Sequence, residues 1–126
     1  MSGFRTLISI SAALALTLSV LLLVVPGPIF ALFSVTTDAS GDFVARRAAA
    51  LFLGVAVTSF LARDLAPSPG RSAIAAGVAV MMLALALLGT VEFVRGYAGP
   101  GIFLAVIAEA ALGGSLLMVW MRDRHR

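Results

Sequence analysis

The 126-residue chain is 61% apolar and only 12% charged, with a mean hydropathy of +1.10. A soluble domain carries about 45–50% apolar and about 25% charged residues, so this balance excludes a soluble globular enzyme, a disordered chain and a secreted disulfide scaffold. The chain has no cysteine and no lysine, its nine basic residues are all arginine and its single histidine is His125, which removes disulfides, thiolate metal sites, cysteine nucleophiles, Schiff-base chemistry and a P-loop lysine.

A membrane-spanning helix needs about 20 mostly apolar residues to cross about 30 Å of hydrocarbon. Four windows meet that requirement, at about 6–25, 43–62, 69–94 and 100–121. The first lies in an uncharged run from Thr6 to Thr37 and is closed by Pro26-Gly27-Pro28, where proline removes an N–H donor and clashes with the preceding turn. Its apolar run is too long for a secretory signal and no Ala-x-Ala site follows, so it reads as a retained helix. The segment Ile29 to Val35 is apolar but too short to span, and is expected at the interface or tucked against the bundle. Asp42 reads as the N-cap of the second span, which opens with Arg46 and Arg47. Ser68-Pro69 reads as N-cap and first-turn proline of the third. Gly96 suits the left-handed position after it, and Gly99-Pro100 opens the fourth. The expected architecture is therefore all-α: one transmembrane domain over residues 1–126, an integral membrane four-helix bundle with no room for a separate soluble domain.

With four spans, Arg5, Arg63, Arg71, Arg122, Arg124 and Arg126 share one side, and Arg46, Arg47 and Arg95 the other. The positive-inside rule then puts both termini in the cytoplasm, an N-in/C-in topology in the inner membrane of a bacterial cell. Trp120 and Tyr97 fall where an aromatic belt would place them. The sequence pI of about 11.1 does not indicate nucleic-acid binding, because the arginines mark helix ends and no aromatics interleave with them. Attraction to anionic lipid accounts for them, including the tail Arg122-Asp123-Arg124-His125-Arg126.

Ionisable residues inside spans are costly and usually face the bundle interior. Glu109 lies near the middle of the fourth span, on a row of small residues formed by Gly101, Ala105 and Gly113. A matching row on the second span runs Arg46, Ala50, Gly54, Thr58, Ala62. Small rows let helices approach closely, so Gly54, Thr58, Gly101, Ala105 and Gly113 are expected packing faces. The two spans run in the same direction, which puts Arg46 and Glu109 within reach of an ion pair. Glu92 and Arg95 lie close to them, forming with Arg47 an outer polar cluster. That cluster is either a packing staple or a ligand site.

Arg46 and Arg47 opening the second helix, Gly54 within it, Arg63 closing it, Arg95-Gly96 after the third and Glu109 in the fourth form a pattern that covers most of the chain. It resembles uncharacterised small four-helix bacterial membrane proteins of a domain of unknown function, DoxX-like in build. The resemblance implies a topology and no catalytic residues. Small multidrug exporters match poorly, because their essential glutamate lies in the first helix, which is uncharged here.

The functional expectation is a non-enzymatic accessory, scaffold or lipid-contacting subunit without metal or cofactor. Its expected partners are the lipid bilayer, other membrane proteins or a second copy. The alternatives are a small proton- or cation-coupled transporter using Glu109 and a holin-like pore former. An enzyme acting on a lipid or quinone is the weakest class, given the missing residue types.

Overall fold

The computed structural model describes residues 2–24, 27–32, 39–96 and 98–124 of the chain. It is all-helical, with α1 (Ser2–Val24), α2 (Gly27–Leu32), α3 (Ala39–Ala62), α4 (Pro69–Val94) and α5 (Ile102–Arg124). Four of these helices are long and apolar enough to cross a membrane: Gly3–Val24, Phe43–Ala62, Pro69–Val94 and Ile102–Asp123.

The helix boundaries follow from local chemistry. The Ser68 hydroxyl accepts a hydrogen bond from the Arg71 N–H at 3.2 Å, and Pro69 follows at the first helical position, as the sequence predicts. At the far end of α4, the Arg95 N–H donates to Val91 at 2.9 Å and the Gly96 N–H to Phe93 at 3.1 Å. Gly96 takes φ +82°, the left-handed conformation that only glycine adopts without steric cost. The α3 start differs from expectation. The helix begins at Ala39, so Asp42 lies inside its first turn instead of capping it. The last connection is a tight turn in which Ile102, Phe103 and Leu104 donate to Gly99, Pro100 and Gly101, and α5 proper starts two residues after Pro100.

The helices pack as two antiparallel pairs, α1 with α3 and α4 with α5. In the second pair, a Cβ on Gly89 would stand 2.7 Å from Val106, and one on Gly113 2.9 Å from Leu83. Glycine at both places lets the backbones close together. The pairs join through α1 and α5, where Phe4 and Ile8 meet Ala75, Val78, Ala79, Met82, Leu112, Leu116 and Val119 in the main core. A smaller cluster of Leu22, Ala45 and Ala49 holds α1 to α3, with Ile29 and Phe30 of α2 packed on it. The short segment after the first span thus tucks against the bundle, and the Leu32 carbonyl abuts Gly101 so closely that no side chain fits there. Residues Phe33 to Val35 and Tyr97, which the sequence also singled out, lie outside the described residues.

Two threonine hydroxyls are absorbed within their own helices. Thr17 and Thr90 donate to the carbonyls of Ala13 and Ala86, one turn back, at 2.8 and 2.9 Å. Ser19 donates across the α1–α3 seam to the Ala49 carbonyl at 2.7 Å. The lateral surface is apolar on all four long helices, with Leu51 at 74% exposure and Val94 at 76%, joined by Leu23, Leu87 and Ile107. An apolar exterior of this extent is of the kind that marks membrane or protein-contact surfaces.

Gly113→Leu should cost about 1–3 kcal/mol, because the nearest obstacle includes the Leu83 backbone nitrogen, which cannot swing aside. Gly54→Leu, with nothing within 4 Å of its Cβ position, should leave stability unchanged or raised. Thermal unfolding of the two variants in detergent measures the contrast.

Candidate functional site

The best-formed polar structure sits where the start of α1, the α3–α4 turn and the end of α5 meet. Arg71 Nε stands 3.2 Å from Asp123 Oδ2, an ionic contact without the alignment of a hydrogen bond, with side-chain exposures of only 3% and 4%. The Arg71 guanidinium carbon lies 4.3 Å from the centroid of the Phe4 ring, and Arg71 Nη1 donates to the Leu65 carbonyl at 3.4 Å. One side chain therefore ties together α1, the α3–α4 turn, α4 and α5. Charge–charge attraction, a cation–π contact and backbone acceptance all offset the cost of removing the guanidinium from water.

Around this clasp lies a more exposed set of charges. Arg5 pairs with Asp64, and Arg63 Nε lies 3.8 Å from the same carboxylate. The Arg63 guanidinium stacks 3.8 Å from the Phe60 ring and donates to the Phe60 carbonyl at 2.6 Å. Arg5 and Asp64 are more than half exposed, and such pairs contribute about 0–1 kcal/mol. Trp120 packs against the nearby core. Arg5, Arg63 and Arg71 thus gather at one end of the bundle, as the sequence predicts.

The structure separates the predicted pair of Arg46 and Glu109. Helices α3 and α5 are not packed neighbours, because each hairpin packs on itself and the second and fourth long helices fall diagonally apart. No ion pair joins the two. Arg46 and Arg47 are exposed, with Arg47 lying 5.9 Å from the Phe43 ring. Glu109 is half-buried on the α4-facing side of α5, between the close approaches at Val106 and Gly113, and its Oε2 is buried without a hydrogen-bond partner. Glu92 and Arg95 are exposed at the end of α4.

The small rows divide in the same way. Gly101 and Gly113 are close-packing positions and Ala105 is half-buried, but Gly54 and Thr58 face outward instead of meeting α5. The α3 row instead borders an open cleft of about 370 Å³ against α4, which is described below. No group of histidine, cysteine, aspartate and glutamate that could hold a metal occurs among the described residues.

The clasp itself is readable in the sequence only through register. The antiparallel alignment that sets Gly89 against Val106 and Leu83 against Gly113, continued toward the start of α4, brings Arg71 level with Asp123. An arginine in the first turn of one helix and an aspartate in the last turn of its hairpin partner were the available signal.

No family model, curated protein or solved structure matches the chain.

Asp123→Ala should lower unfolding stability by about 3–5 kcal/mol, since it strands a buried guanidinium. Arg71→Met combined with Asp123→Leu should recover most of that loss, because two apolar side chains leave no charge uncompensated. Denaturation of the single and double variants in the same detergent tests the pair.

Proposed function

We propose that this chain is a multi-pass inner-membrane protein, with both termini cytoplasmic, that acts as a non-enzymatic lipid-contacting scaffold or accessory subunit. The observation that carries the reading is the division of its polar groups. The deepest-buried charge pair is sealed between helices, while the sides of all four long helices offer apolar side chains outward. Arg71 and Asp123 are turned toward each other and Phe4, an arrangement suited to holding helices together and not to receiving a substrate. The outward faces suit lipid, other membrane helices or a second copy. The arginines at the clasp end, placed at a cytoplasmic surface, would also meet anionic headgroups.

Because the chain lacks cysteine, single reporter thiols test the topology cleanly. Ala66→Cys, in the exposed α3–α4 turn, should react with an impermeant maleimide only in inside-out vesicles. Glu92→Cys, at the far end of α4, should react only in right-side-out vesicles. The opposite pattern, or labelling of both from one side, would overturn the orientation.

One observation favours a second reading, a proton- or cation-coupled transporter. Glu109 presents a buried carboxylate oxygen without a partner, about a third of the way along α5. The scaffold reading predicts that proteoliposomes holding the chain leak protons no faster than empty liposomes. Flux that appears with the chain and vanishes in Glu109→Gln would instead establish transport.

A further inference from the structure

Helices α3 and α4 are consecutive in the chain, joined by a short turn, yet they stay apart along their length. A cleft of about 370 Å³ opens between them, bordered by Leu51, Gly54, Thr58 and Ser59 of α3 and by Gly77 and Met81 of α4. Neither Gly54 nor Gly77 would bring a Cβ within 4 Å of another residue, so the space before both is empty. Ser59 lines this cleft with 0% exposure, and its hydroxyl has no hydrogen-bond partner. Above the cleft, and sharing Leu51 with it, lies a second concavity formed by Phe43, Arg46, Arg47 and Ala50. Arg46 and Arg47 are exposed there.

We propose that this face of α3 binds one anionic phospholipid, its phosphate held by Arg46 and Arg47 and an acyl chain reaching into the upper part of the α3–α4 cleft beside Gly54 and Gly77. The proposal rests on the membrane-spanning reading above. Three observations converge on this occupant.

The first is charge. Two adjacent guanidiniums a turn inside the predicted span demand anions, and their long stems can carry the charged heads outward to headgroup level. Guanidinium is suited to phosphate because its planar fork forms paired, charge-assisted hydrogen bonds. The second is length. From Arg47 to Leu51 and Gly54, the upper lining of the cleft, the helix rises about 6–10 Å, within the about 15 Å of hydrocarbon of one leaflet. An acyl chain whose phosphate sits at the arginines therefore reaches the upper part of the cleft. The third is the exclusion of a second copy. Two parallel copies meeting on this face about a two-fold axis would set the same arginines against each other, and like charges across an interface oppose association. A phospholipid brings the opposite charge and a flexible apolar chain to the same place.

The test uses the full-length chain in detergent, titrated with phosphatidylglycerol or with phosphatidylcholine of the same acyl chains, and followed by native mass spectrometry. The wild type should retain one phosphatidylglycerol in preference to phosphatidylcholine. The Arg46→Gln, Arg47→Gln double variant should lose that preference by about tenfold, the value of one or two charge-assisted hydrogen bonds. Gly77→Leu keeps both arginines but fills the cleft, and it should weaken phosphatidylglycerol retention as well. Replacing a helical glycine facing empty space does not threaten the fold, and circular dichroism of each variant checks this. Arg95→Gln, a charge at the same end of the bundle, should bind as the wild type does. Inorganic phosphate in excess should not displace the lipid, and displacement would reduce the site to a simple anion site. Equal retention of both lipids, retention unaffected by either variant, or a wild-type dimer that Gly77→Leu dissociates would each overturn the proposal. A chain recovered without detergent would refute the membrane reading itself, whereas a detergent-dependent, folded chain indifferent to phosphatidylglycerol would refute only this site.

Discussion

Arg71 and Asp123 meet at the point where four segments of the chain converge, and almost no water reaches either side chain. A guanidinium in such a place is destabilising unless every neighbour answers it. Here the carboxylate supplies the charge, the Phe4 ring a polarisable face and the Leu65 carbonyl an acceptor. The net stabilisation from such a pair is small, because desolvation cancels most of the attraction, but its loss on one side is expensive. Its value is therefore directional: α1, α4, α5 and the α3–α4 turn can satisfy the charge in one relative placement. The glycine contacts set the register of α4 on α5, and the charge pair is satisfied in that register.

The rest of the bundle is organised by how closely backbones can approach. Glycines 89 and 113 draw α4 onto α5, and Gly101 admits the end of α2. Ser19 bridges α1 and α3 through a buried hydrogen bond. Between α3 and α4 no comparable device acts, although the turn between them is short. The result is two tight pairs and one open seam, and that seam is where the outward-facing small residues of α3 lie. The same row of small residues can serve either close packing or an open groove, depending on what stands opposite.

Much of the fold is legible in the residues, since length and apolarity set the four long helices and Ser68-Pro69 and Gly96 set the ends of α4. The short apolar segment after the first span also tucks in as expected. The start of α3, expected at an Asp42 cap, is not legible, because the turn of helix before it has no marker that distinguishes it from loop. The polar site is less legible still. Arg46 and Glu109 look paired when spans are aligned by depth alone, but depth does not say which helices are neighbours. Arg71 and Asp123 look like topology signals at two helix ends. Only the register of the α4–α5 hairpin, set by its glycines, brings them together. Pairing of charges is a property of neighbours and register, and composition carries neither.

Within the folded bundle the Arg71 guanidinium is buried and held by Asp123. Nitrogen-15 NMR of arginine-labelled protein in nanodiscs observes this group directly through exchange of its Nε–H with solvent deuterium. Burial and pairing predict that the Arg71 Nε–H exchanges far more slowly than those of Arg46 and Arg47, and that Asp123→Asn removes most of the difference. An Arg71 Nε–H that exchanges as fast as the exposed arginines, or whose protection is indifferent to residue 123, would contradict the account.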